Sequence, residues 1–276
     1  MGNLANKVAL ITGGARGQGR AHAVALAKQG ADVVLVDAPG PVASVGYGLG
    51  TESDLSDTVK LVQEQGRTAL AIQGDVRNSA DLRHAVTKTL EAFGHLDILL
   101  ANAGIVTYGQ LSEMDDQQWQ DMIDINLTGV ANSIRAVLPH MLERSYGRIV
   151  VTASQSSRRG MPNLSHYCAA KWGLIGLVKT VALEVAPSLG ITCNAVLPGG
   201  VDTPMMRHDE VYRVFAPELD SPRVEDLEER LRRFNPMPTA WIEPSDISHG
   251  VLYLVSEEAR YVSGATLDIA AAFNAS

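Results

Sequence analysis

Seven short apolar runs recur along the chain, centred near Val8, Val33, Ala69, Ile98, Ile149, Thr192 and Leu267, and helical stretches separate them. That alternation predicts an α/β fold, a doubly wound, mostly parallel seven-stranded sheet with right-handed crossovers that place helices on both faces. The first run, Lys7 to Thr12, leads through a glycine-rich turn, Gly13 to Gly19, into a helical stretch from Arg20 to Gln29. A second strand, Asp32 to Val36, ends at Asp37. The amphipathic stretch from Trp119 to Met141 predicts one long packed helix with a kink near Pro139. No repeat, low-complexity tract or linker divides the chain, so a single domain over residues 1–276 is expected. In sheets of this kind ligands sit beyond the carboxyl ends of the strands. Gly13, Asp37, Asp75, Asn102, Ser154 and Pro198 all fall just past predicted strand ends, so one cleft should collect them.

Two connecting segments are longer than simple turns. The first, residues 38–50, is rich in glycine and proline and carries Val42, Val45, Tyr47 and Leu49 where a short turn would suffice. It reads either as a disordered surface insertion or as a cover over the cleft. The second, residues 204–238, places Met205, Met206, Val211, Tyr212, Val214 and Phe215 ahead of a charged stretch from Glu225 to Arg233. These side chains suit either simple packing or helices around an adjustable substrate lid.

Composition narrows the class. A chain of 276 residues with 46% hydrophobic content can bury one large core. A net charge of −8 without a basic block argues against a nucleic-acid partner, and no apolar run is long enough to span a bilayer. The first core strand is reached by Val8, which leaves no room for a signal peptide, and Asn6 breaks the myristoylation pattern begun by Met1 and Gly2. Cys168 and Cys193 form no disulfide framework, so a cytoplasmic protein is expected. Seven scattered histidines lack metal-ligand spacing, and no Gly-x-Ser-x-Gly elbow supports a serine hydrolase.

Strand, glycine turn and helix together suit a dinucleotide, because glycines admit the pyrophosphate to the backbone and the helix N-terminus offers free amides and a positive dipole end. Gly13, Gly17 and Gly19 fit that role. Asp37 lies where a carboxylate would accept hydrogen bonds from an adenosine ribose, and it would repel a 2′-phosphate, which reads as NAD rather than NADP. A second device sits farther on. Tyr167 and Lys171, four apart, share one helix face, with Ser154 thirteen residues upstream of the tyrosine. An ammonium near the phenol, helped by a cofactor cation, favours phenolate and makes tyrosine a usable acid or base near neutrality. His166 would point away from that face and reads as a surface or interface residue.

Taken in order, these motifs resemble the short-chain dehydrogenase/reductase family from Lys7 almost to the C-terminus. The resemblance implies a Rossmann fold and a set of cofactor contacts. These are the turn with Gly13, Arg16, Gln18 and its other glycines, then Asp37 with Ala38, Asp75 with Val76, and Asn102-Ala103-Gly104. Pro198, Gly200, Val201 and Thr203 form the nicotinamide-side loop, and Tyr167 and Lys171 also reach the cofactor. It further implies that Asn126 opens its helix locally and holds a water joined to Lys171.

A narrower resemblance, to mycofactocin-coupled members such as carveol dehydrogenases, rests on Gly14 to His22, on the insertion followed by Glu52 to Leu55, and on Trp241 to Ser248. It implies NAD held without ready exchange and electrons passed to an external peptide-derived redox cofactor, mycofactocin. Trp172 after the lysine, an insertion without proline-tyrosine-proline character, and Asp268-Ile269-Ala270-Ala271-Ala272 without glycines depart from that pattern. The expected reaction is NAD-dependent interconversion of a hydrophobic, carveol-like secondary alcohol and its ketone. Tyr167 would be acid/base, Ser154 would hold the substrate oxygen, Lys171 would lower the phenol pKa, and Asn126 would relay the proton. A freely exchanging reductase of ketones or 3-oxoacyl thioesters, or an NAD-binding sensor without chemistry, are the competing readings. The family further implies a homotetramer with two-fold symmetry, paired through the helices of Asn126 and Tyr167.

Overall fold

The computed structural model describes residues 3–38 and 40–275; Met1 and Gly2 of the failed myristoylation pattern, Pro39 of the insertion, and Ser276 lie outside them. The apolar runs become β1 Val8–Thr12, β2 Asp32–Asp37, β3 Ala69–Gln73, β4 Ile98–Ala101, β5 Gly147–Thr152, β6 Ile191–Pro198 and β7 Thr266–Ile269. They form one sheet in the order β3-β2-β1-β4-β5-β6-β7. Every pairing is parallel. Covered on both faces, the central strands can be apolar at every position, which is why each reads as a run rather than an alternation.

Successive residues feed opposite cores. Val8 and Leu10 face a cluster completed by α3 (Ser79–Phe93), α5 (Gly129–Arg144) and α6 (Ser165–Val185). Ala9 and Ile11 face the cluster of α1 (Gly17–Lys28), α2 (Glu52–Gln63) and α9 (Pro244–Val255). The strand order reverses between β2 and β4 on either side of β1, and Thr12 pairs with both Val36 and Ala101. Ala101 is in turn level with Val151. Gly13, Asp37, Asn102 and the residues after Thr152 therefore stand in a row along one edge of the sheet.

The long helix expected from Trp119 to Met141 is two: α4 (Asp116–Ile123) and α5, joined by a π-helical turn over Asp124–Thr128. The break falls at Asn126, not at Pro139, which lies inside α5. Its cause is the side chain. Asn126 Nδ2 donates to the Met122 carbonyl at 3.1 Å, the acceptor that the backbone N–H of Asn126 would use in an α-helix.

Described residues of the insertion form an irregular strap with fixed anchors. Val42, Val45 and Leu49 pack against the core. Ser44 Oγ donates to Asp121 at 2.8 Å, and the Val106 N–H donates to the Tyr47 hydroxyl at 3.2 Å. The segment after β6 folds into α7 (Asp209–Phe215) and α8 (Val224–Phe234) around a small core of Val211, Leu227, Leu231 and Ala240. Tyr47 reaches this lid, its ring stacked on His208 with centroids 4.5 Å apart. At the C-terminus Ala271 and Ala272 adopt left-handed φ of 48° and 64°, a conformation that costs an L-residue about 1 kcal/mol.

Candidate active site

The cleft above the strand ends has two connected parts that share Gln18, Asn102, Gly104, Ile105, Thr203 and Met205. In the outer part, Gly13 and Gly17 take φ of +67° and +54°, and a Cβ on Gly13 would sit 2.8 Å from the Ala103 backbone. Only glycine lets this turn lie so close to the neighbouring strand end. Gly19 does not face the cleft; it packs α1 onto the Gly13 carbonyl. Asp37 accepts from the Ala15 and Ala38 N–H groups at 2.8 and 2.9 Å. Burial raises its carboxyl pKa, and those two bonds with the Arg16 guanidinium oppose the rise. Arg16 itself bonds the Gly48 carbonyl, tying the glycine turn to the strap.

Three expected cofactor residues do structural tasks as well. Asn102 donates to the carbonyls of Thr12 and Gly13 at 3.2 and 3.3 Å and accepts from Thr152 at 3.1 Å, so its amide staples the ends of β1, β4 and β5. The Asp75 carboxylate is clamped by Arg77 at 2.6 Å; burial works to raise its pKa, but the clamp holds it below the usual value. Ala38, Val76 and Ala103 line the outer cleft, and Pro198, Gly200, Val201 and Thr203 the inner one. Val201 is fixed there by a parallel bridge to Ile242.

In the inner part Ser154, Tyr167, Lys171 and Asn126 line a single chamber. Ser154 follows β5 and its hydroxyl accepts from the Ser156 N–H at 3.1 Å beside Tyr167, while Lys171, one turn farther along α6, donates to the Thr152 carbonyl at 2.8 Å. The Asn126 amide is engaged by protein: Oδ1 accepts from the Ile105 N–H at 3.2 Å and Nδ2 donates to the Ile105 carbonyl at 3.1 Å. A Cβ on Gly104 would sit 2.7 Å from Asn126 Oδ1 and 3.7 Å from Lys171 Nζ, so the two side chains meet across a glycine. Asn126 thus fixes the loop after β4 beside the lysine through its side-chain amide.

The electrostatics also depart from the expectation of a lowered phenol pKa. Burial pushes the Tyr167 phenol up, and the Ser154 hydrogen bond offsets only part of that. Burial brings Lys171 down to about 8. In the protein alone, desolvation outweighs the pull of an ammonium whose ring-centroid distance from Tyr167 is 5.6 Å. His166 is fully buried rather than on the surface, sharing a 2.8 Å hydrogen bond with Thr107, and burial lowers its pKa to about 4.

Residues 7–211 match the family described as short chain dehydrogenase. The chain belongs to the short chain dehydrogenase family. Within it, the chain is 45% identical over 272 residues to a (−)-trans-carveol dehydrogenase of Rhodococcus erythropolis, covering 98% of each. A crystal structure of a carveol dehydrogenase from Mycobacterium avium in complex with NAD superposes with a TM-score of 0.97 at 43% identity, covering 100% of both chains. A short chain dehydrogenase from Mycobacterium paratuberculosis bound to NAD gives 0.90 at 34% identity, again covering 100% of both.

This short chain dehydrogenase also carries site residues that no motif announces. Gln155 and Tyr108 line the inner chamber, and Tyr47 and Arg77 the outer part. The one available signal was position, since Gln155 and Tyr108 closely follow the ends of β5 and β4. Among the described residues no cluster of three or more histidine, cysteine or acidic side chains could hold a metal, and no helix is long and apolar enough to cross a membrane.

Proposed function

We propose that the protein is an NAD-dependent dehydrogenase that interconverts a hydrophobic secondary alcohol and its ketone in the cytosol. The observation that carries this reading is the meeting of Ser154, Tyr167 and buried Lys171 in one chamber, at one end of a cleft whose other end is the glycine turn and Asp37. The cleft fits the cofactor. Gln18 Oε1 is buried without a partner among the described residues, and Asp37 is set to receive ribose hydroxyls and to repel a 2′-phosphate. Gly13, Gly17, Val76, Ala103, Gly200, Val201 and Thr203 would line the dinucleotide, and Tyr167 and Lys171 its ribose. When bound, the nicotinamide supplies the hydride acceptor.

The chain's own residues handle the substrate and its proton. Ser154 holds the substrate oxygen, and Tyr167 Oη takes the hydroxyl proton in oxidation and returns it in reduction. Lys171 steadies the phenolate, and Asn126 keeps the loop at Ile105 in register beside it. Ile105, Val106, Met161, Leu164, Met206 and Phe215 make the chamber mainly apolar, which suits a carveol-like skeleton. The strap, anchored at Arg16, Val106, Asp121 and His208, supports slow release of NAD and hence reoxidation in place by an external carrier of the mycofactocin kind. A homotetramer completes the reading. All four reactive residues are present, which leaves the non-catalytic sensor without support.

The test is to purify the protein without added nucleotide, denature it, and assay released NAD, then to follow carveol oxidation with free NAD or with an artificial electron acceptor. Stoichiometric NAD with turnover only through the acceptor is expected. Empty protein that turns over with added NAD would return the freely exchanging reductase, and no turnover in either assay would sink the dehydrogenase reading.

A further inference from the structure

We propose that Gln155, together with Tyr108, forms a second polar point in the substrate chamber and selects secondary alcohols or ketones that carry a second hydroxyl group. The inference rests on the dehydrogenase reading above and narrows its substrate class.

Gln155 follows Ser154 at the end of β5 and opens a short 3-10 turn, Gln155–Ser157. Its backbone carbonyl accepts from Arg158, but its side-chain Oε1 is buried with no hydrogen-bond partner among the described residues. The amide lies against the end of β6, where a Cβ on Gly199 would sit 3.2 Å from that oxygen. Tyr108 enters the same chamber from the loop after β4, its ring packed against the small core of the lid. The Thr107–His166 and Gln118–Thr107 hydrogen bonds, 2.8 and 3.1 Å, hold that loop in place.

Gln155 is half-buried with its amide oxygen enclosed and unmet, a costly arrangement in a mainly apolar chamber unless a ligand completes the amide. A plain hydrocarbon ring leaves it unmet. A hydroxyl answers it in either orientation of the amide, because it both donates and accepts, and the Tyr108 hydroxyl can share it. Sites built to bind a substrate hydroxyl discriminate strongly against analogues that lack it.

The experiment uses the full-length protein with NAD and an artificial electron acceptor, and compares kcat/KM per hydroxyl for cyclohexanol and cyclohexane-1,4-diol. The diol is expected to be favoured by about tenfold or more. Gln155→Leu should collapse that ratio toward one, mainly through KM of the diol, without lowering the melting temperature. Tyr108→Phe should lower the ratio partway. If Gln155→Leu fails to fold, Gln155→Met supplies the same comparison. A wild-type ratio near one, or a ratio unmoved in the glutamine variants while both rates fall together, overturns the proposal. Inert cyclohexanol, diol and carveol alike would instead overturn the dehydrogenase reading, and this inference with it.

Discussion

At the scale of single residues, the proposed site could be named because each member is tied to a local pattern: Tyr167 and Lys171 to a helical spacing, Gly13 and Gly17 to a turn, Asp37 to a strand end. Replacing Tyr167 with phenylalanine keeps the ring's packing but removes the hydroxyl beside Ser154. Carveol turnover should fall by about a hundredfold or more while the NAD content of the purified protein is unchanged; retained turnover would remove Tyr167 from the reaction. What the sequence did not reveal is environment. His166 reads as a surface residue one step from the tyrosine, yet it is fully buried, as His22 nearly is against Ser248 at 2.8 Å. Burial lowers both imidazoles from 6.5 to about 4. Between those values the unfolded chain binds protons that the folded chain refuses, so stability must fall as pH drops from 6.5 toward 4. The loss is at most roughly 3 kcal/mol for each histidine. Denaturant unfolding at pH 7 and pH 4.5 measures it. Curves for His22→Gln and His166→Gln that keep the full wild-type pH dependence would show that other groups are responsible.

At the scale of elements, the strands were legible because a parallel sheet buried on both faces demands continuous apolar runs, and one run suffices to recognise one strand. The opening at Asn126 was legible only through the family resemblance, and the strap's anchoring was not legible at all, because the partners lie far away in sequence. Asn126 opens its helix through the Met122 carbonyl, four residues earlier, but its remaining amide bonds reach Ile105, 21 residues earlier, while Tyr47 is held by Val106, 59 residues later. No local pattern encodes such partners, and hydrophobic periodicity alone pointed to Pro139 rather than Asn126 for the kink. The strap's anchors nevertheless make its proposed role testable. Among the described residues, Tyr47 joins it to both the loop after β4 and the lid, through a hydrogen bond and a ring stack. Tyr47→Ala removes both, an effect of about 2 kcal/mol, so NAD should leave some tenfold or more faster. Retention of NAD through repeated desalting reports the rate, and a variant that retains it as the wild type does would assign slow release to some other feature.

At the scale of the whole molecule, the surface of α6 carries information that the cleft does not. One side of this helix enters the core through Leu174, Val178 and Val181, and apolar residues continue onto the outward side, where Lys179, Thr180 and Glu184 flank them. The other side turns Ala169, Trp172, Gly176 and Leu183 outward at helical spacing, with Trp172 52% and Leu183 77% exposed. An apolar stripe on a helix is expected to be buried. Small residues at 169 and 176 leave room for a second helix to approach closely, and a two-fold axis would pair the stripe with itself. Because Tyr167 and Lys171 stand on the same helix, pairing would also brace the reactive face against bending. Light scattering should therefore give at least a dimer, and the proposed tetramer where a second two-fold contact joins two such pairs. Gly176→Arg, which sets a charge and a long side chain in the middle of the stripe, should reduce it to a smaller species of intact secondary structure. A wild-type monomer, or a variant that keeps the wild-type assembly, would leave the exposed tryptophan and leucine of α6 without a partner and place any association on a different face.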